Sequence, residues 1–121
     1  MPKIVAINEA CSLLAQASGT CYMGEIKADY SKLISKLGRP MKGYDNYKSD
    51  AEWIIEFEGG SIATIYNWKD GKSYLGEGGL DLCDIREWHV GGKGKEVVAW
   101  ADDLINNSWP VFDDIRQEAQ F

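Results

Sequence analysis

The stretch AEWIIEFEGGSIATIYNW, residues 51–68, decides the fold of this chain. Its first half largely alternates apolar and acidic residues, which is the pattern of a half-buried β-strand. Gly59 and Gly60 follow, and two glycines favour a tight hairpin turn because they accept positive φ angles. A two-residue turn at these glycines pairs Trp53 with Tyr66, so the aromatic residues of both strands are expected on one face of the hairpin.

Three helices are predicted around this hairpin. Asn8 can cap a first helix that ends at Gly19, and Asp29 can cap a second helix that ends at Gly38. A third helix is expected after Lys95, where apolar residues again recur at helical spacing. Each of these helices has an apolar face that another element must cover.

Two further strands are predicted outside the hairpin, one over residues 21–27 and one over residues 84–90. A glycine-rich loop over residues 91–95 is expected to separate the second of them from the third helix. The chain is therefore predicted to be a single α+β domain over residues 1–121. Its small antiparallel sheet, with a central hairpin at about residues 50–69, is expected to pack against the helices.

The composition argues against several classes of protein. With 19 acidic and 13 basic side chains, the 121-residue chain has a formal net charge of −6, so duplex nucleic acid is not an expected partner. No apolar run approaches the length that spans a bilayer, and the amino-terminal segment lacks the pattern of a signal peptide. No membrane partner is therefore expected.

The chain has three cysteines, an odd and sparse number that suits a reducing cytoplasm. Cys11, Cys21, Cys83 and the single histidine, His89, have the composition of a zinc site, but their spacing matches no common zinc module. Ordinary buried cysteines are the expected alternative, and no metal or cofactor is predicted. No nucleophile motif accompanies the histidine, so no catalytic residue is assigned and the protein is not expected to be an enzyme.

Two segments carry residues suited to binding a ligand. The loop GGKGK, residues 91–95, leads into a predicted helix, so it is either an anion site at the helix amino terminus or a flexible connector. Tyr66 and Trp68 alternate with Asn67 and Lys69. These aromatic rings are either core residues or a surface on which a planar base stacks while Asn67 binds the edge of the base.

The distribution of charge leaves room for a small anionic ligand. Residues 96–121 hold six acidic residues and one basic residue, a net charge of −5, so residues 1–95 carry only −1 of the total of −6. Arg86 and Arg116 can each bind a phosphate through two parallel hydrogen bonds, or can lie on the surface as ordinary charged residues.

Several short motifs follow one another in a distinctive order. They are DYxxL at residues 29–33, GxP at 38–40, DAEWxIEF at 50–57, IYNWKxG at 65–71, YLG at 74–76 and WHxGG at 88–92. In this order they resemble a family of small phage proteins, the anti-Thoeris sponges, which defeat a bacterial defence that signals with a derivative of NAD. The resemblance covers roughly residues 22–105, and Gly59-Gly60 stands where the family pattern has an acidic residue before glycine.

The resemblance implies a protein that binds and sequesters a cyclic ADP-ribose isomer without cleaving it, so that the defence effector never meets its activator. It also implies action in the host cytoplasm by a homo-oligomer whose pockets lie near subunit boundaries. Some members are expected to hold cyclic oligonucleotides as well. The alternative is a phage inhibitor that binds a host defence protein directly, with its acidic surface imitating nucleic acid.

The chemistry of the implied ligand selects the candidate site residues. Adenine needs an aromatic face and a polar partner at its edge, while a pyrophosphate needs arginines and free N–H groups. The residues that meet these needs are Phe57, Tyr66, Asn67, Trp68, Tyr74, Arg86, Arg116, Gly91, Gly92 and Lys93.

Overall fold

A computed structural model describes residues 3–8, 20–41 and 48–107. Its strands are β1 (Ile4–Ile7), β2 (Cys21–Lys27), β3 (Glu52–Phe57), β4 (Ile62–Tyr66) and β5 (Glu87–Gly92). Its α-helices are α1 (Tyr30–Leu37), α2 (Lys72–Leu75) and α3 (Glu96–Asn106). The strands form one antiparallel sheet in the order β1-β3-β4-β5-β2. The predicted α+β class, an antiparallel sheet with helices packed on it, is confirmed.

The main core lies between the sheet and the two longer helices, α1 and α3. Trp53 of β3 and Trp88 of β5 are fully buried there, with ring centroids 5.5 Å apart and ring planes at 73°. The Nε1–H of Trp53 donates to the carbonyl of Gly38 at 2.8 Å, and the Nε1–H of Trp88 donates to the carbonyl of Ala28 at 3.1 Å. Both indoles therefore bury a large apolar surface without leaving their N–H groups unsatisfied.

The helix predicted after Asp29 is confirmed as α1. Gly38 follows it with a φ of 83°, a conformation that glycine adopts at low cost, and donates its N–H to the carbonyl of Ile34 at 2.8 Å. Asp29 stands at the N-cap position but makes no capping bond with its side chain. Its carboxylate instead contacts Arg86, with Nε and Oδ1 at 3.1 Å.

The predicted hairpin is confirmed as β3 and β4, but its register is wrong by one residue. A two-residue turn pairs Trp53 with Tyr66, whereas the structure pairs Trp53 with Ile65. The N–H of Phe57 donates to the carbonyl of Ser61 at 2.8 Å, so the loop between these two residues has three members instead of two.

The change of register moves every side chain of β4 to the opposite face from the predicted one. Gly59 and Gly60 have φ angles of 90° and 95°, which permit the longer loop. Ile65 therefore joins the core face that carries Trp53. Tyr66 lies on the other face, away from α1 and α3.

Two predicted boundaries and one missing strand also need correction. β1, which is not predicted from the sequence, pairs antiparallel with β3 and is largely buried. β5 begins at Glu87 and continues through Gly92, so both glycines of the predicted loop, Gly91 and Gly92, lie within the sheet. The predicted strand over residues 84–90 thus starts too early and ends too soon.

Asn8 is predicted to cap a helix, and among the described residues its side chain binds the backbone of two other segments. It follows β1 with a φ of 56°, and its Oδ1 accepts the N–H of Ile54 at 3.0 Å. Its Nδ2 donates to the carbonyl of Arg39 at 2.9 Å. The helix predicted after Asn8 and the tail after Asn107 lie outside the described residues. None of the helices in the described ranges is long and apolar enough to cross a membrane.

Candidate ligand-binding site

Four side chains form a row across the face of the sheet that lies opposite to α1 and α3. The pairing of β3, β4, β5 and β2 places Glu52 opposite Tyr66, Tyr66 opposite His89, and His89 opposite Glu25. Side chains that are directly opposite in antiparallel strands lie close enough to interact. The sheet thus brings together residues that are up to 64 positions apart in the sequence.

Aromatic rings continue this row in both directions. The ring of His89 lies 5.5 Å from that of Tyr66, at 73°, and 4.8 Å from that of Tyr22, at 57°. The ring of Trp68 lies 6.0 Å from that of Tyr66, at 82°. These separations are typical of interacting aromatic pairs. We name Tyr22, His89, Tyr66 and Trp68 the aromatic strip.

The aromatic strip is accessible to solvent along part of its length. Tyr22 is 53% exposed, the side chain of His89 is 26% exposed, and Tyr66 and Trp68 are half-buried. Further toward β1, the same face of the sheet carries a small buried apolar cluster of Ala6, Ile54 and Ile62, with Met41 packed against it. The strip is therefore the part of this face on which a ligand can stack.

Two lysines lie at the tryptophan end of the strip. The Nζ of Lys48 is 5.4 Å from the ring centroid of Trp68, and the Nζ of Lys69 is 5.9 Å from it. The Nζ of Lys69 also lies 5.6 Å from the ring of Tyr74. Lys69 has a φ of 61°, and its N–H donates to the carbonyl of Lys48 at 2.7 Å, which holds the two segments together. This end of the strip combines aromatic surface with two positive charges.

The opposite end of the strip is acidic. The hydroxyl of Tyr22 donates to Oε2 of Glu25 at 3.2 Å, and the other oxygen of Glu25 lies 3.9 Å from Nε2 of His89. Burial raises the pKa of Tyr66, and the charge of Glu52 raises it further. Desolvation also raises the pKa of Tyr22, with further increases from the hydrogen bond to Glu25 and from its charge. Both hydroxyls therefore remain protonated, as hydrogen-bond donors, at neutral pH.

Three of the predicted site residues lie in or beside the strip. Tyr66 and Trp68 belong to it, and Tyr74 is connected to it through Lys69. The predicted register places Tyr66 and Trp68 on the same face as the core residue Trp53. In the observed register they lie on the opposite face of the sheet. They are half-buried on the face opposite to α1 and α3 and are not members of the main core.

Asn67 has a structural role that occupies its whole side chain. It is fully buried, and its Oδ1 accepts the N–H groups of Asp50 at 2.8 Å and Ala51 at 3.0 Å. Its Nδ2 donates to carboxylate oxygens of Asp50 at 2.9 Å and Asp70 at 3.0 Å. The predicted bond to a base edge is thus replaced by bonds that fix the entry into β3 and the loop after β4.

Phe57 and Arg86 also lie away from the strip. Phe57 is fully buried on the helix-covered face, 5.1 Å from the ring of Trp100, so it offers no face to a ligand. Arg86 contacts Asp29 and donates from Nη1 to the carbonyl of Cys83 at 2.7 Å. Arg116 lies outside the described residues.

The predicted anion loop is not an open cradle of N–H groups. Gly91 and Gly92 are strand residues, and a Cβ on Gly91 would meet the Oγ1 of Thr64. The carboxylate of Glu96, in the first turn of α3, lies over Gly94 and already places a negative charge beside the helix amino terminus. Lys93 lines a separate cavity of about 230 Å³ beside the hairpin loop.

Two members of the strip, Tyr22 and His89, are not among the site residues predicted from the sequence, and neither are the two lysines beside it, Lys48 and Lys69. The alternation over residues 84–90 correctly predicts that His89 and Trp88 point to different faces of the sheet. The contact between His89 and Tyr66 depends on the pairing of β5 with β4. Cys21 and Cys83, the two cysteines among the described residues, are exposed, whereas buried cysteines are expected from the sequence. In the part of the chain that the structure describes, no group of three or more potential ligands could hold a metal ion.

Comparison of the chain with protein-family models, with curated proteins and with solved structures returned no match. The resemblance to the anti-Thoeris sponges therefore rests on the sequence motifs alone.

Proposed function

We propose that the protein binds a nucleotide at the aromatic strip and sequesters it without a chemical step, the ligand being a cyclic ADP-ribose isomer. The observation that carries this proposal is the row of partly exposed rings of Tyr22, His89 and Tyr66, ending at Trp68, whose ring has two lysine nitrogens within 6 Å of its centroid. The motif resemblance supplies the identity of the ligand, and the strip supplies a surface of matching chemistry.

The strip offers each part of a nucleotide a suitable partner. Stacking of a base on an aromatic ring contributes about 1–3 kcal/mol, and a hydrogen bond to a charged group contributes about 1.5–3 kcal/mol. Lys48 and Lys69 lie near the same ring and supply two positive charges for a pyrophosphate. The protonated hydroxyl of Tyr66 can donate to a ribose or phosphate oxygen.

Sequestration is tested by recovery of the ligand. Purified protein is mixed with the cyclic ADP-ribose isomer, freed of unbound ligand by gel filtration, heated, and the released material is identified by mass spectrometry. Recovery of the unchanged isomer supports the proposal. Release of linear ADP-ribose would identify an enzyme instead, and an absence of bound nucleotide would favour an inhibitor that acts on a host protein.

Replacing Tyr66 or Trp68 with alanine is expected to weaken binding of the isomer about 10- to 100-fold, because each change removes a stacking surface worth about 1–3 kcal/mol. Tyr66→Phe keeps the ring and should bind within a few-fold of wild type. Isothermal titration calorimetry provides the measurement. If Tyr66→Ala and Tyr66→Phe bind the isomer with equal affinity, the ring of Tyr66 is not part of the binding site.

Lys48→Ala is the corresponding test of the phosphate partner. Its effect should shrink as salt is added, since the interaction of charges is screened. Lys95→Ala is the matched control, because Lys95 is an exposed lysine at the start of α3. If both variants lose affinity equally, the net charge of the protein, and not the position of Lys48, determines binding.

A further inference from the structure

Lys69, which follows the tryptophan of the aromatic strip, has a backbone conformation that residues with a side chain rarely adopt. Its φ is 61°, and among the described residues only Asn8 shares a positive φ without being glycine. The left-handed region brings the Cβ of an L-residue too close to its own backbone, so it costs free energy that glycine avoids. Strain of this kind occurs mainly at functional sites, where the surrounding structure maintains it.

The turn after β4 explains the conformation of residue 69 but not its side chain. The N–H of Lys69 donates to the carbonyl of Lys48 at 2.7 Å, and the next carbonyl, that of Asp70, accepts the N–H of Leu80 at 2.8 Å. These bonds hold the chain where it leaves the sheet for the loop of residues 71–80. Glycine or asparagine would adopt the positive φ at lower cost, and asparagine does so at position 8.

The contacts of the Lys69 side chain do not account for a lysine in this strained position. Its Nζ lies 5.9 Å from the ring centroid of Trp68 and 5.6 Å from that of Tyr74, and the residue is exposed. Within the described ranges, no carboxylate forms an ion pair with it. An exposed contact between a cation and a ring stabilises by no more than a left-handed residue costs.

The charges along the aromatic strip make this end the place for an anion. At the other end, Glu25 lies 3.9 Å from His89 and repels a phosphate group. The ring of Trp68, in contrast, has the Nζ of Lys48 at 5.4 Å in addition to that of Lys69. A ligand that carries both a base and phosphates is therefore expected to lie along the strip in one direction.

We infer that Lys69 determines the specificity of the strip for phosphorylated ligands, because its Nζ binds a phosphate group beside Trp68. The inference rests on the proposed function and deepens it: the pyrophosphate lies at the lysine end, and the base stacks on the rings of Tyr66 and His89. The strained backbone then has a reason, since glycine would relieve the strain but could not bind the anion. Lysine at position 69 lowers stability and raises affinity, a combination that a purely structural residue does not show.

Lys69→Gly separates these two effects. Glycine accepts the φ of 61° but has more freedom in the unfolded chain, so the variant should melt at about the wild-type temperature or slightly above it. Its binding of the cyclic ADP-ribose isomer should weaken about tenfold or more at low salt, and should depend less on the salt concentration. Lys69→Arg keeps the charge and should retain both the affinity and its salt dependence. Thermal unfolding and isothermal titration calorimetry at several salt concentrations provide the measurements.

Two variants serve as matched controls. Lys72→Ala removes the same charge from the same loop, but Lys72 is already paired with Asp81 at 3.2 Å, so the affinity should stay within a few-fold of wild type. Tyr66→Ala removes a ring without changing the charge. It should weaken binding while the affinity keeps the salt dependence of the wild-type protein.

Unchanged affinity of Lys69→Gly would overturn the inference, as would an equal loss of affinity in Lys72→Ala. A melting temperature of Lys69→Gly about 5 °C or more below that of wild type would also overturn it, because the side chain would then be structural. Inorganic pyrophosphate is a second probe of the same site. If wild type binds pyrophosphate through Lys69 but not the isomer, the proposed function fails and the phosphate site stands. If wild type and Lys69→Gly bind the isomer equally well, the proposed function stands and the role of Lys69 is wrong.

Discussion

Replacing Trp53 with alanine is expected to lower the free energy of unfolding by about 4 kcal/mol, the largest effect of any single change considered for this chain. Trp53 is fully buried at the centre of the core, with its ring against those of Tyr30 and Trp88. Alanine would leave a cavity there and would also remove the donor to the carbonyl of Gly38. The free energy of unfolding of a domain is typically only about 5–15 kcal/mol, so a loss of this size removes a large part of the stability of the folded state.

Urea denaturation followed by circular dichroism measures this effect. Trp53→Phe keeps an aromatic ring but loses the bond to Gly38, so a smaller loss of about 1–3 kcal/mol is expected, and this variant remains measurable if the alanine variant does not fold. Trp68→Phe is the matched control on the half-buried strip, with an expected change below about 1 kcal/mol. Equal effects of Trp53→Phe and Trp68→Phe would contradict the assignment of Trp53 as the centre of the core.

Asn67→Ala is expected to lower the free energy of unfolding by about 3 kcal/mol, because two backbone N–H groups and two carboxylates lose their partner at once. Unsatisfied buried polar groups are more costly than the same groups in water. Asn67→Asp would keep an acceptor for the N–H groups but would place a third carboxylate beside Asp50 and Asp70. It should therefore be about as destabilising as alanine at neutral pH.

Asn107→Ala provides the control for this prediction. The Nδ2 of Asn107 donates to Asp103 at 2.7 Å on an exposed helix end, so its replacement should cost less than about 0.5 kcal/mol. Thermal unfolding of the Asn67 and Asn107 variants gives the comparison. Similar melting temperatures would show that the buried amide is not an organising element, and would return Asn67 to the list of possible ligand contacts.

The elements of this fold were accessible to prediction where short-range chemistry specifies them. The apolar spacing of α1, together with Gly38 after it, gave the correct helix. Alternation and two glycines correctly indicated a hairpin. β1 was missed, because a four-residue apolar segment does not reveal from periodicity alone whether it is a strand.

The candidate site was less accessible, because its members come from different strands. Tyr66 and Trp68 were identified from their residue types, while His89 and Tyr22 became neighbours only through the pairing of β5 with β4 and β2. Asn67 was assigned to a ligand because its burial could not be inferred from a single strand. Its partners Asp50 and Asp70 lie 17 and 3 positions away in the sequence.

The sequence by itself determined that residues 51–68 form a hairpin, and only the tertiary structure decided which face of the sheet carries Tyr66. The physical reason is that β3 is buried on both faces, with Trp53 at 0% and Ile54 at 6% exposure, so alternation does not specify a single register. The bond between Phe57 and Ser61 makes the loop one residue longer. A shift of one residue reverses the faces of a strand, and here it moves two aromatic rings from the core to the candidate site.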